Sequence, residues 1–247
     1  PRFVDPARAD YRLRIGARGV NFSPQVTGVD GDLDLDMRPR DQALAIRAGF
    51  FGERDAGAYE RQPSDPWLLN GEFDGDLNLW GSLTPTLTSY SALNGPGSSG
   101  GSVSFSRAAT AGDPAPLAFN VLRQCFNVPG PGVYRLTAQG RAPGSVLASR
   151  DKPFAQLFVR NNSANCTGPT DQIVSTYLPN AAGFATLAIP LEVTVEAAQF
   201  NSDTTLEVLL NIEQDIGGTA MDAGFDKAVL TGTSLNDLIF ADGFERP

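Results

Sequence analysis

The feature that most constrains this chain is a succession of short runs alternating apolar and polar residues, each cut off by Gly, Pro, Asn or Ser. They fall at Ser102–Ser106, Leu117–Val128, Gly132–Gln139, Phe154–Arg160, Gln172–Leu178, Phe184–Ile189, Thr204–Ile212 and Gly224–Thr231. A period of two turns one set of side chains inward and leaves the other wet, so each run predicts a half-buried strand. Tyr134, Leu136 and Ala138 form one such inward set; Leu206, Val208 and Leu210 form another, with Leu209 and Ile212 adding a second apolar face. Strands this close together, with no helical period between them, predict a two-sheet antiparallel sandwich of jelly-roll type rather than a parallel α/β fold. The turns have the residues they need, since 26 Gly and 18 Pro stand among 247 residues.

Composition removes several function classes. There is no His, so His-dependent nucleophilic triads and His-liganded metal centres have no donor in this chain. With a net charge of −9 and its Lys and Arg scattered singly, the chain has no basic stripe for a phosphate backbone, and nucleic acid is not an expected partner. No apolar run reaches the ~18–20 residues that span a bilayer. Carboxylate pairs can be chosen from the acidic residues, but no S-x-x-K or G-x-S-x-G motif marks a nucleophile, and the chain is not expected to be an enzyme. Cys125 and Cys166 lack C-x-x-C spacing, which favours a single disulfide over a metal site, two buried thiols being the alternative. The stretch Asn94–Gly101 reads as a flexible loop, because no Lys follows it to make a phosphate cradle. The opening Pro1-Arg2-Phe3-Val4 reads as the start of a fragment or processed product, with any targeting signal upstream.

Pro63 and Pro66 punctuate the chain, and the expected division is 1–62, 63–236 and a tail at 237–247. The first segment carries Phe3-Val4-Asp5-Pro6, Asp10-Tyr11-Arg12-Leu13, Asp34-Leu35-Asp36-Met37-Arg38-Pro39-Arg40 and Asp55-Ala56-Gly57-Ala58-Tyr59-Glu60. In that order these phrases resemble the end of bacterial secreted right-handed parallel β-helix proteins of the choice-of-anchor Q type. Leu35-Asp36 stands where that family has Asp-Gly, and 42–54 is an insertion. The resemblance implies the terminal part of a parallel β-helix. The alternating carboxylates of Asp30–Asp36 miss the Gly an EF-hand needs at its sixth position, where Leu35 stands. They leave a looser cation site or a hydrated turn in which Asp32 and Asp34 pair with Arg38 and Arg40.

The second segment opens Leu68-Leu69-Asn70-Gly71-Glu72-Phe73-Asp74, continues to Trp80, and closes with Phe225-Asp226-Lys227-Ala228-Val229-Leu230. Between them stand Gln124-Cys125-Phe126-Asn127-Val128, Tyr134-Arg135-Leu136 and Cys166-Thr167-Gly168. The order resembles galactose-binding-like jelly-roll modules of the carbohydrate-binding type. That resemblance implies a structural Ca²⁺ tying the opening strand to the closing one, with Asp74 and Asp226 as ligands and Glu72 as a third candidate. Asp74 stands where the family has the longer Glu, and Lys227 replaces a second Asp. The tail Asp237–Glu245 is similar to a D-x-I-F-x-D-G-F-E ending of secreted proteins from some Gram-negative bacteria.

Glycan binding by such modules rests on aromatic platforms with amide and Arg hydrogen bonds. Trp80 is expected in the core between the sheets, and the exposed candidates are Tyr90, Tyr177, Phe200 and Arg160. The functional expectation is a non-catalytic extracellular or cell-surface module for adhesion or binding of a glycan or surface polysaccharide. The alternatives are self-association through strand edges into a filament or layer, and an accessory domain of a β-helix polysaccharide lyase or hydrolase.

Overall fold

The computed structural model describes residues 3–5, 10–13 and 67–234, the last with gaps at 74, 78, 99, 114–115, 129, 144–150, 164–165, 180, 202 and 215–217. Within the first segment only β1 (Phe3–Asp5) and β2 (Asp10–Leu13) are included, and they pair antiparallel. The run Asp30–Asp36, the rest of the β-helix-like phrases and the tail lie outside the described residues.

The remaining strands are β3 (Gly81–Ser82), β4 (Thr88–Ser91), β5 (Ser102–Arg107), β6 (Leu117–Asn127), β7 (Gly132–Arg141), β8 (Asp151–Arg160), β9 (Gln172–Tyr177), β10 (Ala185–Thr186), β11 (Leu191–Val195), β12 (Thr205–Gln214) and β13 (Met221–Ser234). They form two antiparallel sheets. One has the order β10-β7-β13-β5-β4, with β11 also on β7; the other has the order β3-β6-β12-β8-β9. From β5 onward the chain passes back and forth between the sheets, as a jelly roll requires, and no helix occurs among the described residues.

Alternation explains the core. Val103 and Phe105 of β5, Tyr134, Leu136 and Ala138 of β7, Ala155, Leu157 and Val159 of β8, and Leu206, Val208, Leu210 and Ile212 of β12 all point between the sheets and are buried. Fully burying one such aliphatic side chain is worth about 1.5–3 kcal/mol, so these rows dominate the stability of the sandwich. Both tryptophans are in the core, as expected for Trp80. Trp67 packs edge-on to Tyr134 at 5.2 Å, and Trp80 leans on Phe73 while its Nε1–H donates to Asn70 O.

The opening loop, residues 67–80, is sewn to the sandwich at two places. Gln124, on an inward position of β6, accepts from Leu69 N and donates to Leu69 O, satisfying a backbone that no strand pairs. At the other, Ala228 N donates to Gly71 O at 2.9 Å. This bond exists because β13 is bulged between Asp226 and Val229, with Lys227 at φ 44°, which turns the Ala228 N–H out of the ladder. A Cβ at Gly71 would stand 2.1 Å from Ala228 O, so the glycine of the opening phrase is a steric requirement at this contact.

Cys125 and Cys166 form a disulfide, Cα to Cα 6.1 Å, that ties β6 to the loop after β8. It closes a loop of sequence separation 41, which on the chain-entropy account is worth roughly 4 kcal/mol. The double variant Cys125→Ser/Cys166→Ser is expected to lose about that much in urea unfolding, and wild-type protein in reductant should fall to the variant's midpoint.

Candidate functional site

The two sheets present very different outer faces. On the β7–β13–β5 sheet the outward positions are mostly small or ion-paired, among them Ser104, Ser106, Thr137 and the Arg135–Glu192 pair at 2.7 Å. On the β6–β12–β8–β9 sheet they are aromatic, amide and cationic.

The register sets these residues out in rows across the strands. Asn120, Asn211, Phe154 and Tyr177 form one row. Arg123, Leu209, Gln156 and Ser175 form the next, and Cys125, Glu207, Phe158 and Ile173 the one beyond. The face is closed at the Cys125 end. There Glu207, only 4% exposed, accepts from Arg160 Nη2 at 3.0 Å and lies 3.7 Å from Arg123 Nη1. Arg160 also donates to Gly168 O, and its guanidinium covers the Phe158 ring at 5.4 Å. A buried carboxylate costs several kcal/mol unless paired, and these two arginines compensate Glu207, while the disulfide anchors Cys166 close to the Gly168 carbonyl that holds Arg160.

The opposite end of the face is open, and its centre is Tyr177. Its hydroxyl donates to Glu213 Oε1 at 2.9 Å, and Glu213 stands on β12, two strands away across β8. Neighbouring strands are ~4.8 Å apart, so a tyrosine can reach that far only with its ring laid across the sheet rather than standing up from it. The ring is buttressed by the edge of Phe154, centroids 5.7 Å apart, and by the Lys152 ammonium at 5.5 Å, and the residue remains 51% exposed. Beside it, Asn211 Nδ2 donates to Gln156 Oε1 at 2.7 Å, which leaves the Gln156 amide nitrogen as a donor. Asn120 and the Arg123 side chain border the same surface, both accessible to solvent.

Of the four candidates named from sequence, Tyr177 alone belongs to this surface. Arg160 is not an exposed ligand-binding side chain, because Glu207 and Gly168 O consume it. Phe200 is partly buried and packs against the core. Tyr90, on the edge strand β4 of the other sheet, packs against the backbone of Gly101. Phe154, Gln156, Asn211 and Arg123 were missed. The signal for two of them lay in Phe154-Ala155-Gln156-Leu157-Phe158-Val159: once Ala155, Leu157 and Val159 fill the core, Phe154 and Gln156 must face outward.

The junction expected to hold calcium is a separate place, where the loop at 95–98 meets the β13 bulge. Asp226 is buried, and its carboxylate accepts from Gly95 N at 2.6 Å, Ser98 Oγ at 3.0 Å and Lys227 N at 2.6 Å. Lys227 Nζ donates to Gly97 O. Glu72 is near enough to act electrostatically on Asp226. Calcium wants six to eight oxygen ligands, and here both Asp226 oxygens already take protein donors while an ammonium sits on the neighbouring carbonyl. Among the described residues no three acidic, His or Cys groups converge, and Asp74 lies outside the described residues. Melting in chelator and in calcium is therefore expected to agree, and a calcium-dependent rise in Tm would enlist Asp74 as a ligand.

Burial raises the Asp226 carboxyl above the ordinary carboxylate range, the three hydrogen bonds oppose this, and the Glu72 charge adds to it. The folded chain thus binds this proton more tightly than the unfolded chain, so Asp226 makes stability fall as pH rises from the ordinary value through the raised one. Wild type should gain stability relative to Asp226→Asn as pH falls through that window, read from urea unfolding at a series of pH values.

No protein-family model matches the chain, and no curated protein matches it. Solved structures do resemble it. The module TmCBM61, solved with β-1,4-galactotriose, is 17% identical, with 68% of this chain and 98% of that chain covered and a TM-score of 0.43. The CBM22-2 xylan-binding domain of Xyn10C from Paenibacillus barcinonensis is 12% identical, with 66% and 98% covered and a TM-score of 0.41. The enzymatically active domain of bacteriophage CBA120 tailspike protein 4 is 12% identical, with 71% of this chain but 22% of that chain covered and a TM-score of 0.47. What the face does is read from its own residues.

Proposed function

We propose that the chain is a non-catalytic glycan-binding module whose ligand lies along the open half of the β6–β12–β8–β9 face. The observation that carries this is the Tyr177 ring, leaning across β8, half exposed and fixed at its hydroxyl by Glu213. A pyranose presents one face of C–H groups and an equatorial rim of hydroxyls. A flat aromatic ring matches the first, and the Gln156 amide, Asn120 and the Arg123 guanidinium match the second. All of these side chains stand on strands, so the sheet holds them in place before any ligand arrives and less ordering entropy opposes binding. The disulfide supports an extracellular setting, where such bonds persist. Attachment of a larger protein to a surface polysaccharide is the role this gives.

Binding is tested by calorimetry and by affinity electrophoresis against β-1,4-galactan, xylan and a broad glycan array. Tyr177→Ala is expected to weaken the best ligand by about 1.5 kcal/mol, roughly tenfold, and Phe154→Ala by less. Failure of wild type to retain any glycan, or equal binding by Tyr177→Ala, would sink the reading.

A further inference from the structure

We infer, resting on the function proposed above, that the glycan held on the open face is an acidic one and that its carboxylate is taken by Arg123. The basis is a local balance of charge that runs against the chain. The whole chain carries −9, yet on the outward positions of β6, β12, β8 and β9 the charged residues are Arg123, Lys152 and Arg160 against Glu207 and Glu213. One positive charge is left over on the face that carries the Tyr177 ring. Lys152 stands opposite Glu213 in the register, so these two offset each other at the Tyr177 end.

At the other end two arginines share one carboxylate. Arg160 Nη2 donates to Glu207 Oε2 at 3.0 Å, and Arg160, its side chain 14% exposed, is spent further on Gly168 O and the Phe158 ring. Arg123 Nη1 lies 3.7 Å from Glu207 Oε1, near enough for attraction and too far for a hydrogen bond, with its side chain 36% exposed. Arg160 thus neutralises Glu207, and the unmatched charge stands at Arg123, whose five guanidinium N–H donors have no hydrogen-bond acceptor among the described residues. The position of this guanidinium is set on two sides. Glu207 attracts its head, and Gly81 of β3 makes room for its stem, since a Cβ there would stand 3.2 Å from Arg123 Cγ. Sugar hydroxyls accept from such a group and leave its charge unmatched, whereas a carboxylate takes two parallel N–H bonds from one guanidinium and cancels it. Gln156, in the same row with Leu209 of β12 between them, adds an amide donor. The negative charge of the rest of the chain is screened beyond ~8 Å at physiological salt and does not oppose a contact at this range.

The test is calorimetric titration of the full chain with polygalacturonate, polymannuronate and polyglucuronate, each beside the same polymer with its carboxyl groups reduced to alcohols. At least one acid form is expected to bind about tenfold more tightly than its reduced counterpart, with the gap narrowing as salt is raised. Arg123→Gln should abolish the gap, and Arg123→Lys, which keeps the charge without the fork, should retain part of it. Tyr177→Ala should weaken both forms alike. Equal binding of the acid and reduced forms, or a gap that survives Arg123→Gln, overturns the assignment. Binding of neutral glycans through Tyr177 with no preference for acids leaves the proposed function standing while the assignment falls, whereas a chain that retains neither kind of glycan removes both.

Discussion

The structure depends on β12 being paired along its whole length on both sides, to β6 and to β8, with residues buried on both of its faces. Because the side-chain period is two, a slip of one residue against either neighbour would turn Leu206, Val208, Leu210 and Ile212 to the outside and bring Glu207 and Asn211 between the sheets. Neither could be buried there without its present partners. Register in this sheet is therefore set twice, by the apolar set on one side and by the Glu207–Arg160 and Asn211–Gln156 contacts on the other. The open face is thus the other side of the same register that fills the core.

That double use explains what was legible in the sequence and what was not. Most of the strand runs, the burial of Trp80, the disulfide and the antiparallel sandwich follow from alternation, bulk and Cys spacing, all of them local properties. The face was hidden because it is assembled from β6, β8, β9 and β12, and only the cross-strand register says that Tyr177 lies beside Phe154 and reaches Glu213. Arg160 looked exposed because it ends a strand. Its capture by Glu207, forty-seven residues further along, is a tertiary event with no local trace. The bulge at Lys227 was likewise invisible, since nothing in Phe225–Leu230 breaks the apolar pattern; it is required by Gly71, at the other end of the module.

Charge is distributed unevenly for a reason. The chain as a whole carries −9, yet the cations of the open face stand singly rather than in a patch, Lys152 against the Tyr177 ring and Arg123 near the Glu207 carboxylate. Single cations held against a ring and a carboxylate give directional hydrogen-bond donors without a strong field.

The position of β13 has a further implication for how the chain reaches this state. The last strand of the module in sequence is a central strand of its sheet, inserted between β7 and β5, and its bulge supplies the donor that fastens Gly71 at the module's beginning. Until that strand emerges during synthesis, β5 and β7 have no common neighbour and the inward rows of both sheets stay wet. Folding must therefore wait for nearly the whole module, as slow, non-local β topologies do. A nascent chain of this kind remains unfolded for as long as its end is still being made, and threading through a narrow pore is open to it during that interval and closed afterwards.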